Sequence, residues 1–96
     1  MYAHVNIWRL NEQGGTTDDT AAREIGAALS KQPGFKSYTL VRTGEREVVA
    51  IILFDTADHL DAATSALADF VRARVGPLAA GAPERRRGDV VYHTQE

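Results

Sequence analysis

Residues 48–54 (Val-Val-Ala-Ile-Ile-Leu-Phe) form a run of strand length that is apolar at every position. Side chains alternate across a strand, so a strand with one wet face alternates apolar with polar. This run does not alternate, and both of its faces need cover. Residues 2–10 (Tyr-Ala-His-Val-Asn-Ile-Trp-Arg-Leu) do alternate. Ala3, Val5 and Ile7 make a small aliphatic row, while Tyr2, His4, Asn6, Trp8 and Leu10 make a polar and aromatic one. Their aromatic and β-branched content predicts a first strand. Residues 35–42 read as a second strand, joined to the apolar run by the turn Thr43-Gly44-Glu45-Arg46.

Two stretches carry the helical period instead. After a polar loop over 11–19, Ala21, Ala22, Ile25, Ala28 and Leu29 share one face. Thr16 or Thr17 is the expected cap, Asp18 and Asp19 suit the positive end of the helix, and Pro33-Gly34 ends this region. Asp55 or Thr56 caps a longer helix with the stripe Leu60, Ala63, Leu67, Phe70, Val71, Arg74 or Val75, and Leu78, interrupted at Gly76-Pro77. Residues 89–94 are expected as a last short strand. The order β-α-β-β-α-β is that of an α+β, ferredoxin-like sandwich with a four-stranded antiparallel sheet. Two helices cover one face of such a sheet and cannot reach the other. The doubly apolar strand therefore calls for a second copy of the chain, forming a dimeric α+β barrel with a cavity between the copies.

Composition narrows the function more by exclusion than by indication. The 96 residues fit a single domain, 1–96. A net charge of −2 offers no basic excess for nucleic acid. The lack of cysteine excludes disulfides, thiolate metal sites and thiol catalysis. No apolar run approaches the roughly 18 residues of a membrane span, and residues 1–15 lack a signal-peptide pattern, so a cytoplasmic location is expected.

The segment Pro33-Gly34-Phe35-Lys36-Ser37-Tyr38-Thr39-Leu40-Val41-Arg42 resembles the PGF-x-x-Y-x-L-x-R stretch of the antibiotic biosynthesis monooxygenase-like family. A strand ending Phe54-Asp55, an Ala-rich helix and a late Gly88-Asp89-Val90-Val91 strand follow in that family's order. The resemblance implies a homodimer of ferredoxin-like protomers with a ligand-sized cavity. The family includes cofactor-free monooxygenases of aromatic polyketides, heme-degrading enzymes and quinol oxygenases, so fold alone selects no activity. Heme-degrading members use an Asn on the first strand with a Trp and a His on the second helix. Asn6 matches the first of these, but the other two positions fall near Ala63 and Arg72. Without the His no axial ligand for heme iron is evident, which disfavours heme degradation.

With the aliphatic row of the first strand under the helices, the polar-aromatic row points into the cavity between copies. Tyr38, Leu40 and Arg42, sharing a face with Lys36, extend the same wall. Such a wall suits a flat aromatic or phenolic ligand. Trp8, Tyr38 and Tyr2 are its expected binding surface, and Asn6, His4 and Arg42 its expected catalytic groups. His4 is the natural base, Asn6 a hydrogen-bonding partner, and Arg42 a stabiliser of phenolate or enolate. A cofactor-independent monooxygenase acting on a small aromatic or quinol-like metabolite needs little else, so no cofactor and no metal are expected. The alternative is a non-catalytic homodimer that binds a small hydrophobic molecule or serves as an accessory subunit, with the aromatics as interface filler. His59 reads as solvated. His4 and His93 would meet only if the first and last strands are neighbours in the right register. Arg85-Arg86-Arg87 is either an anion site at the cavity mouth or a solvated loop.

Overall fold

The computed structural model describes residues 1–16 and 19–95. Strand β1 (Tyr2–Arg9) leads through a short helix α1 (Glu12–Thr16) to helix α2 (Thr20–Ser30). The hairpin β2 (Phe35–Gly44) and β3 (Glu47–Phe54) follows, then helix α3 (Ala57–Val75), a single 3-10 turn (Gly76–Leu78) and strand β4 (Glu84–Asp89). The four strands form one sheet in the order β2-β3-β1-β4, with every neighbouring pair antiparallel. This is the ferredoxin-like α+β architecture that the hydrophobic pattern predicts.

Several local expectations change. The loop over 11–19 contains α1, in which the Asn11 side-chain oxygen accepts a hydrogen bond from the Gly14 N–H at 2.8 Å. Thr16 closes that helix rather than capping the next one, and Thr17 and Asp18 lie outside the described residues. Asp19 occupies the N-cap position of α2 but spends its carboxylate on Arg23 at 2.8 Å. Thr56 does cap α3, accepting from the His59 N–H at 3.1 Å, and the helix ends at Val75 where Gly76-Pro77 cannot continue it.

The last strand is Glu84–Asp89, not residues 89–94. The arginine run is thus a strand at the sheet edge, where charged side chains discourage pairing with further chains. Residues 90–95 run on without regular structure, and Val91 and Tyr92 are 96% and 80% exposed.

The core sits between the sheet and the helices. Phe54, Ile52, Ile25, Leu29, Leu60 and Ala63 form its buried cluster. Phe54 is fully enclosed and meets Phe35 edge-on, with ring centroids 5.8 Å apart. Phe35 reaches this side because β2 is irregular between Phe35 and Ser37. That bulge shifts the alternation, so Phe35 rather than Lys36 shares the helix-facing side with Tyr38. Gly34 adopts φ +82, a conformation that strongly favours glycine, and a Cβ there would also collide with Asp55 and His59. Those two side chains pair at 2.6 Å, so His59 is half-buried and partnered rather than merely solvated.

Candidate functional site

Register decides which row of β1 faces the helices, and the result inverts the expected orientation. Tyr2, His4, Asn6 and Trp8 stand opposite Phe54, Ile52, Ala50 and Val48 of β3, the four residues of that strand that are buried against the helices. The polar-aromatic row therefore lies on the helix-facing side. Ala3, Val5 and Ile7, opposite Leu53, Ile51 and Val49, lie on the open face and are only half covered within the chain. Polarity misleads here because the helix side is not solidly packed.

A cavity of about 820 Å³ lies between the sheet and the two long helices, inside the protomer and not between copies. Its origin is local. Ala50 on the sheet and Ala21, Ala22, Thr64 and Ala68 on the helices are short side chains that leave the layer gap unfilled. The volume falls in the range of small-molecule sites, roughly 300–1,000 Å³.

The floor is built from three cross-strand rows: Tyr38-Ile52-His4-Arg87, Leu40-Ala50-Asn6-Arg85 and Arg42-Val48-Trp8. All of these residues line the cavity except Arg87. The structure thus brings His4, Asn6, Trp8, Tyr38 and Arg42 to one surface. Tyr2 is not among the lining residues. It lies one step beyond His4, packed on the core cluster, with the Arg87 guanidinium 5.2 Å above its ring. Arg42 sits at the exposed rim, separated from Trp8 by β3, about 10 Å at two strand spacings. Its guanidinium donates to the Glu45 carbonyl at 3.0 Å.

His4 is 8% exposed, and its Nδ1 is buried with no hydrogen-bond partner among the described residues. The Asn6 side-chain oxygen is in the same condition. Unpaired buried polar atoms are rare in native proteins and call for an explanation, such as a functional role or a bound water. Burial holds the His4 pKa below its ordinary value, and the positive charges of Arg87 and Arg85 push the same way against Asp61. The ring is therefore neutral at pH 7, with one nitrogen free to accept a proton. Burial also raises the Tyr38 pKa, so its phenol stays protonated and is a donor.

Two further arginines line the cavity: Arg72, which was not expected there, and Arg85, expected only as part of a run that is either an anion site at the cavity mouth or a solvated loop. Arg87 is held by Asp61 at 2.5 Å and donates to the Tyr2 hydroxyl at 3.4 Å. The signal for Arg85 was present in the arginine run, but only a strand assignment over 84–89 separates Arg85 and Arg87 on one face from Arg86 on the other. His93 lies in the exposed tail, and the residue beside His4 on β4 is Arg87, so the two histidines do not form a pair.

No family model and no curated protein matches the chain. Solved structures do match over nearly its whole length. SnoaB, a cofactor-independent oxygenase from Streptomyces nogalater, superposes with a TM-score of 0.79 at 17% identity, covering 99% of this chain and 97% of that one. A protein from Nitrosomonas europaea bearing the provisional name antibiotic biosynthesis monooxygenase gives 0.82 at 15% identity, covering 96% and 100%. Another of that provisional name, from Caulobacter crescentus, gives 0.80 at 22% identity, covering 95% and 90%. The chain has the fold of the antibiotic biosynthesis monooxygenase proteins, as the PGF segment implied.

Proposed function

We propose that this chain is a cofactor-independent monooxygenase acting on a small aromatic or quinol-like metabolite held between sheet and helices. The observation that carries the reading is the pairing of an unfilled cavity with His4 and Asn6, two cavity residues whose buried polar atoms have no partner. An aromatic row serving only as filler would leave no such space. The alternative, a non-catalytic homodimer that binds a small hydrophobic molecule or serves as an accessory subunit, predicts no turnover in the assay below.

Trp8 offers a face for stacking, and neutral His4 takes the proton from a phenolic or benzylic position. Asn6 and the Tyr38 hydroxyl hold the substrate oxygens, and cavity arginines stabilise the anion. The electron-rich carbanion then reduces dioxygen. One oxygen atom remains on the substrate carbon as a carbonyl and the other leaves as water, so an activated methylene becomes a ketone or quinone. The fold relatives include an oxygenase named as cofactor-independent, which supports the class of reaction.

A homodimer is proposed with it. The open sheet face presents Val5, Ile7, Val49, Ile51 and Leu53, all half-buried, beside Val41 at 41% exposure. A second copy laid on this face would supply the cover that β3 lacks. Oxygen uptake with 1,8-dihydroxyanthrone, whose activated methylene becomes the quinone carbonyl, tests the activity. Native protein should accelerate uptake well above the spontaneous rate, and Asn6→Ala and Trp8→Ala should each lower it at least tenfold without loss of fold. Full turnover in both variants would place the chemistry elsewhere.

A further inference from the structure

The cavity wall carries three arginines, Arg42, Arg72 and Arg85, against one acid, Asp19. Asp19 is already paired with Arg23 at 2.8 Å. Arg72 pairs with Asp69 at 3.1 Å, and Arg42 is engaged by the Glu45 carbonyl. Arg85 differs from both. Among the described residues no carboxylate pairs with its guanidinium, whereas the next helix-facing arginine on the same strand, Arg87, has Asp61 and Tyr2. Arg85 stands directly opposite Asn6 on β1, so its side chain emerges beside the residue with the unpartnered amide oxygen. Its charge is also felt at His4, where it helps keep the ring neutral.

We infer that the ligand of this cavity is an aromatic acid, a flat ring system bearing a permanent carboxylate or equivalent anion, and that Arg85 is the residue that selects it. A guanidinium with no internal partner meets a carboxylate through two parallel N–H···O bonds, a geometry a lysine or an amide does not reproduce. The carboxylate would sit at the β4 edge of the floor, with the ring reaching toward Trp8 and its hydroxyl near Asn6. Arg87, saturated by Asp61 and Tyr2, takes no part.

The inference rests on the cavity being the ligand site, and one experiment separates the two. Isothermal titration of native protein with 3-hydroxy-2-naphthoate and with 3-hydroxy-2-naphthamide compares ligands of nearly equal shape and different charge. The acid should bind at least tenfold more tightly than the amide. Arg85→Gln should remove that preference by weakening the acid at least tenfold while leaving the amide within about twofold, and Arg85→Lys should restore only part of it. Equal affinities for the two compounds, or a preference that survives Arg85→Gln, overturns the anion inference alone. Absence of binding by either compound overturns the cavity as the ligand site, and the inference with it. Arg85 is exposed on an edge strand, and circular dichroism of each variant verifies that the fold is intact.

Discussion

Ile51 and Ile52 are neighbours in β3, yet aspartate at each should give opposite results. Ile52 is 7% exposed and belongs to the buried cluster with Phe54 and Leu60. Ile52→Asp forfeits about 2 kcal/mol of apolar burial and sets an unpaired carboxylate in the core, at several kcal/mol more. The sum reaches about 5 kcal/mol, comparable with the whole stability of a domain this size, roughly 5–15 kcal/mol. That variant should be unfolded, with loss of cooperative melting. Ile51 lies on the open face between Val5 and Thr39 and is half-covered within the chain. Ile51→Asp should leave the protomer folded. In a two-fold interface the substitution counts twice. Two lost isoleucines and two desolvated carboxylates amount to at least about 5 kcal/mol, a shift in dimer Kd of more than about a thousandfold. Sedimentation velocity at micromolar concentration reads the outcome, with far-ultraviolet circular dichroism as the check on folding. The expected pair is a folded monomer for Ile51→Asp and an unfolded chain for Ile52→Asp. A stable dimer from Ile51→Asp would refute the proposed interface, and a folded chain from Ile52→Asp would refute the assignment of faces.

Other consequences follow from the same geometry. The His4 pKa is lowered on folding, so below about pH 6.5 the unfolded chain binds a proton that the folded chain refuses. Stability should fall as the pH drops below about 6.5, and His4→Gln should flatten that slope in urea melts taken between pH 7.5 and 5. If His4 is the base, the acidic limb of the rate profile should likewise lie below pH 6.5 and vanish in the variant. Ala50→Leu places a larger side chain on the cavity floor, where space exists. It should cost less than the roughly 1–3 kcal/mol of ordinary overpacking, measured by thermal melting, while cutting ligand affinity at least tenfold. Gly34→Ala combines a left-handed backbone with a collision against Asp55 and His59 and should destabilise by more than about 1 kcal/mol in the same assay.

The element order and the sheet architecture were legible because period 2 and period 3.6 are written plainly into residues 2–10, 48–54 and 57–75. The site residues were legible as a set, since alternation alone groups His4, Asn6 and Trp8. Their direction was not. The rule that the apolar row faces the core assumes a filled core, and here Ala50 and the short helix residues leave a gap that polar groups line. The last strand escaped for a related reason. Val-Val-Tyr-His-Thr over 90–94 has the higher β-propensity, but pairing with β1 falls on the charged edge strand over 84–89. Tyr2 was grouped by alternation with residues whose row does reach the cavity, and only its packing on the core cluster shows that it stops short.

The most direct test of a ligand site between sheet and helices is a ¹H–¹⁵N correlation spectrum of labelled protein titrated with 3-hydroxy-2-naphthoate. The Trp8 indole, the Asn6 side-chain amide and the backbone amides of Ala22, Ala50 and Val71 should shift most, with Val5, Ile7 and Ile51 nearly still. Shifts concentrated at Val5, Ile7 and Ile51 would place the ligand on the open face and contradict the site.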